Sequence, residues 1–391
     1  MKKSLVLMAM AGVALASCVN DVAEVAQNDQ KKVKIAFESP VLYNNAESRA
    51  NVFGEISSET VEGSYSYPKA ENFVIYAVSH IGDFAGWTSA AAAPFNGQAI
   101  SYDSSVDGWA PKDENQDYYY WEDGKKMSFA AYSPAELDVE GCTPSYGAAG
   151  LSLEGFAVNA DPAKQYDLLF STRSVNNTSA NMAHGAEYYS GIPVQFQHAL
   201  SSIRFSLRNT SQAVVKLTGI TLEGLKYKGN FTEGITEGTD FTQYDRDANV
   251  DPEWRVADDL ITAPYVAFTG DIPFSYEARY VSSILGDAGS TGTEHDLLLM
   301  PQTLTEESVV TVNYTVNGKA NSKTVGLKDL KSTKFSQTGE VVSETPIAEW
   351  EIGKRYTYRL YYSDDTAKKD RIFFSPSTDN WQDVDVIVVA L

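Results

Sequence analysis

The sequence predicts an all-β protein, and three observations carry that prediction. Apolar and polar residues alternate through repeated runs of Val, Ile, Tyr, Phe and Thr. Clusters of Gly, Asn, Asp and Pro break those runs at short intervals. Sustained 3.6-residue periodicity is almost absent. Alternation of period two places every second side chain on one face of a strand. Many short strands separated by turns indicate β-sandwiches. The chain has 391 residues and a hydrophobic fraction of 43%, enough for two or three domains with real cores. Tyr and Phe, numbering 23 and 17, suit half-buried pleated surfaces.

The first element is a leader. The chain opens MKKSLVLMAMAGVALASC. Lys2 and Lys3 precede an apolar run from Leu5 to Ala16, and small residues lead into Cys18. This is the layout of a secretory signal peptide over residues 1–17. The apolar run is shorter than the ~20 residues a membrane-crossing helix needs. Leu-Ala-Ser-Cys looks like a bacterial lipobox, which makes Cys18 the lipidated first residue of the mature chain. Two or more acyl chains give stable anchoring to a membrane. Ordinary secretion with an unmodified Cys18 is the alternative.

Residues 18–32 are polar and poor in aromatics, and read as a tether from lipid to fold. A first strand follows over 33–43, with Val33, Ile35 and Phe37 on one face. Residues 44–51 form a polar loop that contains Arg49 and Ala50. A dense β region then runs to about 210, interrupted by one short helical turn at 89–93 that Pro94 ends. A second β region runs from 211 to the end. Within it, 229–259 is rich in Gly, Thr and Asp and reads as a long surface loop or an irregular hairpin. Alternation marks strands at Ser201–Leu207, Val309–Val316, Tyr356–Tyr362 and Asp383–Val389.

The net charge of −21 argues against a nucleic-acid partner, which needs a basic face. If Cys18 carries lipid, Cys142 is the only other cysteine, so no internal disulfide forms. Cys142 reads as a small buried residue. His80, His184, His198 and His295 are too scattered for a zinc helix motif. Asp245 to Asn249 begins like a calcium loop, but Val250 and Val256 stand where such a loop needs Gly and Glu. No nucleophile elbow, phosphate loop or dinucleotide fingerprint occurs. The sequence therefore implies neither enzyme, cofactor nor metal. The aromatic run Tyr118 to Trp121 reads as a core strand, with a sugar-stacking platform as the lesser reading.

Several segments then line up in order. YYYW (118–121) and MSFAAYSP (127–134) are followed by DLLFSTR (167–173), VQFQHALSSIRFSLRN (194–209) and LLLMPQ (297–302). Trp350, Gly353, Tyr356, Tyr358 and Leu360 then fulfil W-x-x-G-x-x-Y-x-Y-x-L, with Trp381 beyond. With the lipobox, this set resembles the fimbrillin family of lipoprotein pilus subunits. The resemblance implies two tandem transthyretin-like β-sandwiches, here 33–210 and 211–391, behind the signal peptide. It implies a precursor held on the outer membrane by lipid, then a place in a fimbrium on the cell surface. An arginine-specific protease removes the first strand in such subunits, and a strand from another pilin subunit fills the groove left behind.

In this chain the resemblance points to cleavage between Arg49 and Ala50 and to Val33, Ile35 and Phe37 as the removable strand. The candidate donor strand carries Val384, Val386, Ile387, Val388 and Val389. Only ten residues follow Trp381, enough for one strand. If that strand pairs within its own domain, the subunit accepts a donor and gives none, as a tip or accessory pilin does. The second function expected is a monomeric surface lipoprotein, an adhesin that binds host protein or glycan.

Overall fold

A computed structural model describes residues 37, 40–42, 59–61, 64–81, 95–105, 107–111, 124–147, 150–171, 174–178, 192, 194–234, 251–257, 264–275, 279–281, 296–335, 341–363, 382–383 and 387–388. Outside them lie Cys18, Val33, Ile35, Arg49, Ala50, His184, His295, Val384, Val386 and Val389. So do the expected turn at 89–93, the aromatic run 118–121 and the segment 245–249.

The described chain is built of strands, with two short 3-10 turns and no α-helix. Strands β1 (Val41–Leu42), β2 (Glu59–Val61), β3 (Ser64–Ser66), β4 (Phe73–His80), β5 (Asn96–Asp103), β6 (Gly108–Pro111) and β7 (Lys126–Ser133) enter a first sheet. β8 (Thr143–Gly147) and β9 (Gly150–Ala157) make a hairpin in a second. β10 (Leu169–Ser171), β11 (Ser174–Asn177) and β12 (Gln195–His198) return to the first, whose order is β2-β3-β1-β12-β10-β7-β4-β5-β6, with β11 beside β7. β4 and β7 are buried nearly throughout. Phe73, Ile75 and Phe129 pack into one cluster, and Val74, Tyr76 and Tyr132 into another. Cover on both faces is why these two segments read as nearly unbroken apolar runs rather than as alternation.

β13 (Ser201–Asn209), β14 (Val215–Glu223), β15 (Lys228–Thr232) and β16 (Glu253–Val256) follow. β15 and β16 pair antiparallel within 229–259, the segment expected to be a long surface loop or an irregular hairpin. They complete the second sheet in the order β16-β15-β9-β8, so that sheet joins segments from both sides of residue 210. The remaining strands are β17 (Tyr265–Pro273), β18 (Arg279–Val281), β19 (Leu297–Leu299), β20 (Gln302–Thr303), β21 (Val309–Val316), β22 (Lys319–Gly326), β23 (Lys331–Phe335), β24 (Val341–Pro346), β25 (Glu349–Trp350), β26 (Lys354–Tyr362), β27 (Gln382–Asp383) and β28 (Ile387–Val388).

A third sheet runs β17-β14-β21-β22. The fourth runs β18-β13-β26-β28-β23-β24, with β19 beside β13 and β27 beside β26; β20 and β25 pair separately. The alternating segments Ser201–Leu207, Val309–Val316 and Tyr356–Tyr362 appear as β13, β21 and β26. The largest cluster of buried apolar residues runs through all of these layers, from Tyr76 and Leu153 to Leu217, Trp350 and Leu360. Among the described residues no helix is long and apolar enough to cross a membrane.

Candidate functional site

The first site is a seam. Phe37 makes an antiparallel bridge to Trp109 of β6 and a parallel bridge to Ile192, just before β12. Four residues on, β1 runs parallel to β12 (Val41 to Gln195, Leu42 to Phe196) and antiparallel to β3. Phe37 and Val41 therefore each pair with other strands on both sides. The Phe37 side chain, 7% exposed, enters an aromatic pocket. Its ring meets Phe95 at 5.6 Å, Phe73 at 6.3 Å and Phe129 at 6.4 Å, all edge to face. Such pairs each contribute about 0.5–1.5 kcal/mol beyond the area they bury. Tyr67, Trp109 and Phe196 extend the same cluster. Of the residues expected in the removable strand, Phe37 is the one described. The sequence reading missed Trp109 and Ile192 as its partners, because pairing across distant segments leaves no local pattern.

The second site is the chain end. β27 pairs in parallel with β26 (Gln382 to Lys354, Asp383 to Arg355). β28 continues along β26 (Ile387 to Tyr358, Val388 to Arg359), with the register shifted by one residue. Its other edge pairs antiparallel with β23 (Ile387 to Ser332, Val388 to Lys331). Ile387 and Val388 thus occupy an interior position of the fourth sheet, with both backbone edges engaged.

The turn before β26 explains the spaced aromatic motif. Trp350 Nε1 donates to the Tyr358 hydroxyl at 2.9 Å, and Trp350 and Tyr358 are both buried. The Tyr356 hydroxyl donates to the Glu349 carbonyl at 3.2 Å and accepts from the Glu351 N–H at 2.9 Å. Gly353, at φ +66°, gives its N–H to the Leu200 carbonyl at 3.0 Å. A Cβ there would sit 3.3 Å from the His198 carbonyl oxygen. His198 itself lies against Asp167, Nδ1 to Oδ1 3.0 Å, as a buried structural pair.

Beneath this turn lies a buried ionic cluster that sequence reading missed. Asp296 takes Arg204 Nε at 2.6 Å on one oxygen. Its other oxygen takes Arg355 Nε at 2.8 Å and the Ser202 hydroxyl at 2.7 Å. Burial alone would push this carboxyl up; Arg204 and Arg355 outweigh it and hold it below its ordinary range. The cluster ties β13, β26 and the start of β19 in register, and its enclosure suits a structural role. Among the described residues, no three His, Cys, Asp or Glu side chains converge as a metal site.

The model of one protein family, described as fimbrillin-like, matches residues 69–381. The chain belongs to the fimbrillin-like family. Among solved structures, a fimbrial protein from Bacteroides vulgatus is 16% identical at a TM-score of 0.49, over 86% of this chain and 96% of that one. A candidate cell adhesion protein from Bacteroides uniformis is 12% identical at a TM-score of 0.45, over 85% of this chain and 94% of that one. No curated protein matches. The fimbrillin-like match takes in the Trp350 turn and the Asp296 cluster. It begins after Phe37 and stops before Ile387, so both strand-exchange candidates flank it.

Proposed function

We propose that this fimbrillin-like chain is a pilus subunit that accepts a neighbour's strand and closes its own last sheet with its own chain end. Its precursor is carried to the outer membrane on a lipid at Cys18. An arginine-specific protease cuts between Arg49 and Ala50, and the segment bearing Val33, Ile35 and Phe37 leaves. The seam between Trp109 and Ile192 then opens. Backbone groups on both sides lose their partners, and the pocket of Phe73, Phe95 and Phe129 is exposed. A strand from another pilin subunit, with an apolar side chain in place of Phe37, restores both.

The observation that carries this reading is the two-sided pairing of Phe37, because only an inserted strand leaves two edges when it is removed. The engagement of Ile387 and Val388 on both edges favours a tip or accessory position over the shaft. Donating that strand would open the subunit's own sheet between β26 and β23. The role is structural, with no catalytic step.

The test treats the purified precursor with an arginine-specific protease and follows size on a denaturing gel without boiling. The expected result is a new N-terminus at Ala50, no ladder from this chain alone, and joining when a donor-competent subunit is added. A ladder from the pure chain that vanishes on deleting residues 384–391 would make the chain a shaft subunit. An unprocessed chain that still binds host glycan or protein would make it a monomeric adhesin.

A further inference from the structure

β16 forms an edge of the second sheet. β15 lies on one side, and no strand lies on the other among the described residues. Antiparallel pairing turns successive residues' backbone groups alternately toward and away from the partner. Ala257 donates to the Lys228 carbonyl at 2.8 Å, and Asp251 to the Gly234 carbonyl at 3.3 Å. Glu253 and Arg255 share that phase and bond inward to β15. Trp254 and Val256 therefore turn both backbone groups outward, and Pro252, which has no N–H, its carbonyl alone.

That outward edge opens on a cleft of about 540 Å³ whose far side is the β20–β25 pair. Glu253, Glu349 and Glu351 line it, with Lys226 the one cation among the described residues that do. Glu253 also lies 3.9 Å from the exposed Arg255, a contact that a better-placed cation displaces. Trp254 and Trp350 line the cleft but are only 9% and 1% exposed, so neither offers a ring face for a sugar to stack on. The Gln302 amide is committed to the Lys226 backbone and the Met300 carbonyl. What the cleft offers a ligand is an open row of backbone groups beside three carboxylates.

An open strand edge recognises an extended chain through its backbone, and flanking charge selects the side chains. We propose that β16 accepts an extended segment of a partner protein, carrying lysine or arginine at alternate positions, as an added strand in this cleft. This site is separate from the Phe37 seam, which lies in another sheet and opens only on proteolysis. The β16 edge has no strand partner among the described residues of the uncut chain.

Three seven-residue peptides, each acetylated and amidated, are titrated into the full uncut chain by calorimetry. One alternates Lys with Val and Thr. One carries Glu in place of Lys. One is the Lys peptide with alternate backbone nitrogens methylated. The Lys peptide is expected to bind saturably and the other two at least tenfold more weakly. Glu253→Gln, Glu349→Gln and Glu351→Gln together, all at exposed positions, are expected to weaken the Lys peptide at least tenfold. Equal binding of the Glu peptide removes the charge argument, and equal binding of the methylated peptide removes the added strand. Absence of saturable binding by the Lys peptide, or no effect of the triple variant, overturns the proposal.

Discussion

Trp350 donates its indole N–H to the phenol oxygen of Tyr358, eight residues on, across the turn that starts β26. Both residues are buried, so no water replaces a lost partner. Tyr358→Phe keeps the ring and removes the acceptor. An unpaired buried donor costs about 1–3 kcal/mol. Urea denaturation is expected to show a loss in that range with an unchanged m-value.

Much of the fold is legible in the chain itself, and the limits are physical. Alternation at Ser201–Leu207, Val309–Val316 and Tyr356–Tyr362 announces β13, β21 and β26, because each has one face more buried than the other. It does not announce that Ser202 to Asn209 run parallel to Arg355 to Tyr362, since register between distant segments is fixed by packing. Phe37 is legible as an apolar position in a first strand; Trp109 and Ile192 are not legible as its partners. Asp296 follows His295 in a stretch without period, and nothing local marks it as the centre of a buried cluster. The motif from Trp350 to Leu360 stands out because several of its hydrogen bonds, Trp350 to Tyr358 and Tyr356 to Glu349 and Glu351, close within one turn.

Asp296 gives the chain an acid-sensitive joint. Its folded carboxyl is held below its ordinary value, so the unfolded chain binds the proton more readily. The stabilisation is complete above the unfolded value of about 3.9 and is lost as pH falls through the lower folded value. Asp296→Asn removes the counter-charge of two guanidinium groups, one of them fully buried, and is expected to cost about 3–5 kcal/mol at pH 7. In stability measured from pH 7 to pH 2, the variant is expected to show a shallower acid limb than the parent. An equally steep limb in both would assign acid sensitivity to other carboxyls.

Two glycines with similar backbone angles separate backbone strain from steric clash. Gly224 and Gly318 have φ of +69° and +81°. A Cβ at Gly318 meets nothing within 4 Å, whereas one at Gly224 would lie 1.9 Å from the Glu307 carbonyl oxygen. Gly318→Ala is expected to cost about 1–2 kcal/mol, the penalty of a left-handed backbone for an L residue. Gly224→Ala carries that penalty plus displacement of the 305–308 turn. The ordering of the two melting temperatures checks this.

Cys142 is half-buried, and burial pushes its thiol up to about 11. The thiolate is the reactive form. At pH 8 its population is expected to be about a hundredfold below that of an ordinary thiol near 9. With Cys18→Ser leaving Cys142 as the one thiol, iodoacetamide modification at pH 8 is expected to lag a reference peptide. The gap should close in denaturant.

Phe37 links stability to processing. In the uncut chain its ring fills the pocket of Phe73, Phe95 and Phe129, and Phe37→Ala is expected to cost about 3–5 kcal/mol. Once the chain is cut after Arg49 and the leading segment has left, parent and variant are the same molecule from Ala50 onward. Their denaturation curves are therefore expected to differ before protease treatment and to coincide after it. Curves that stay apart after cleavage would mean that Phe37 remains seated in its seam, and a seam that keeps its own strand has no vacancy for a neighbour's.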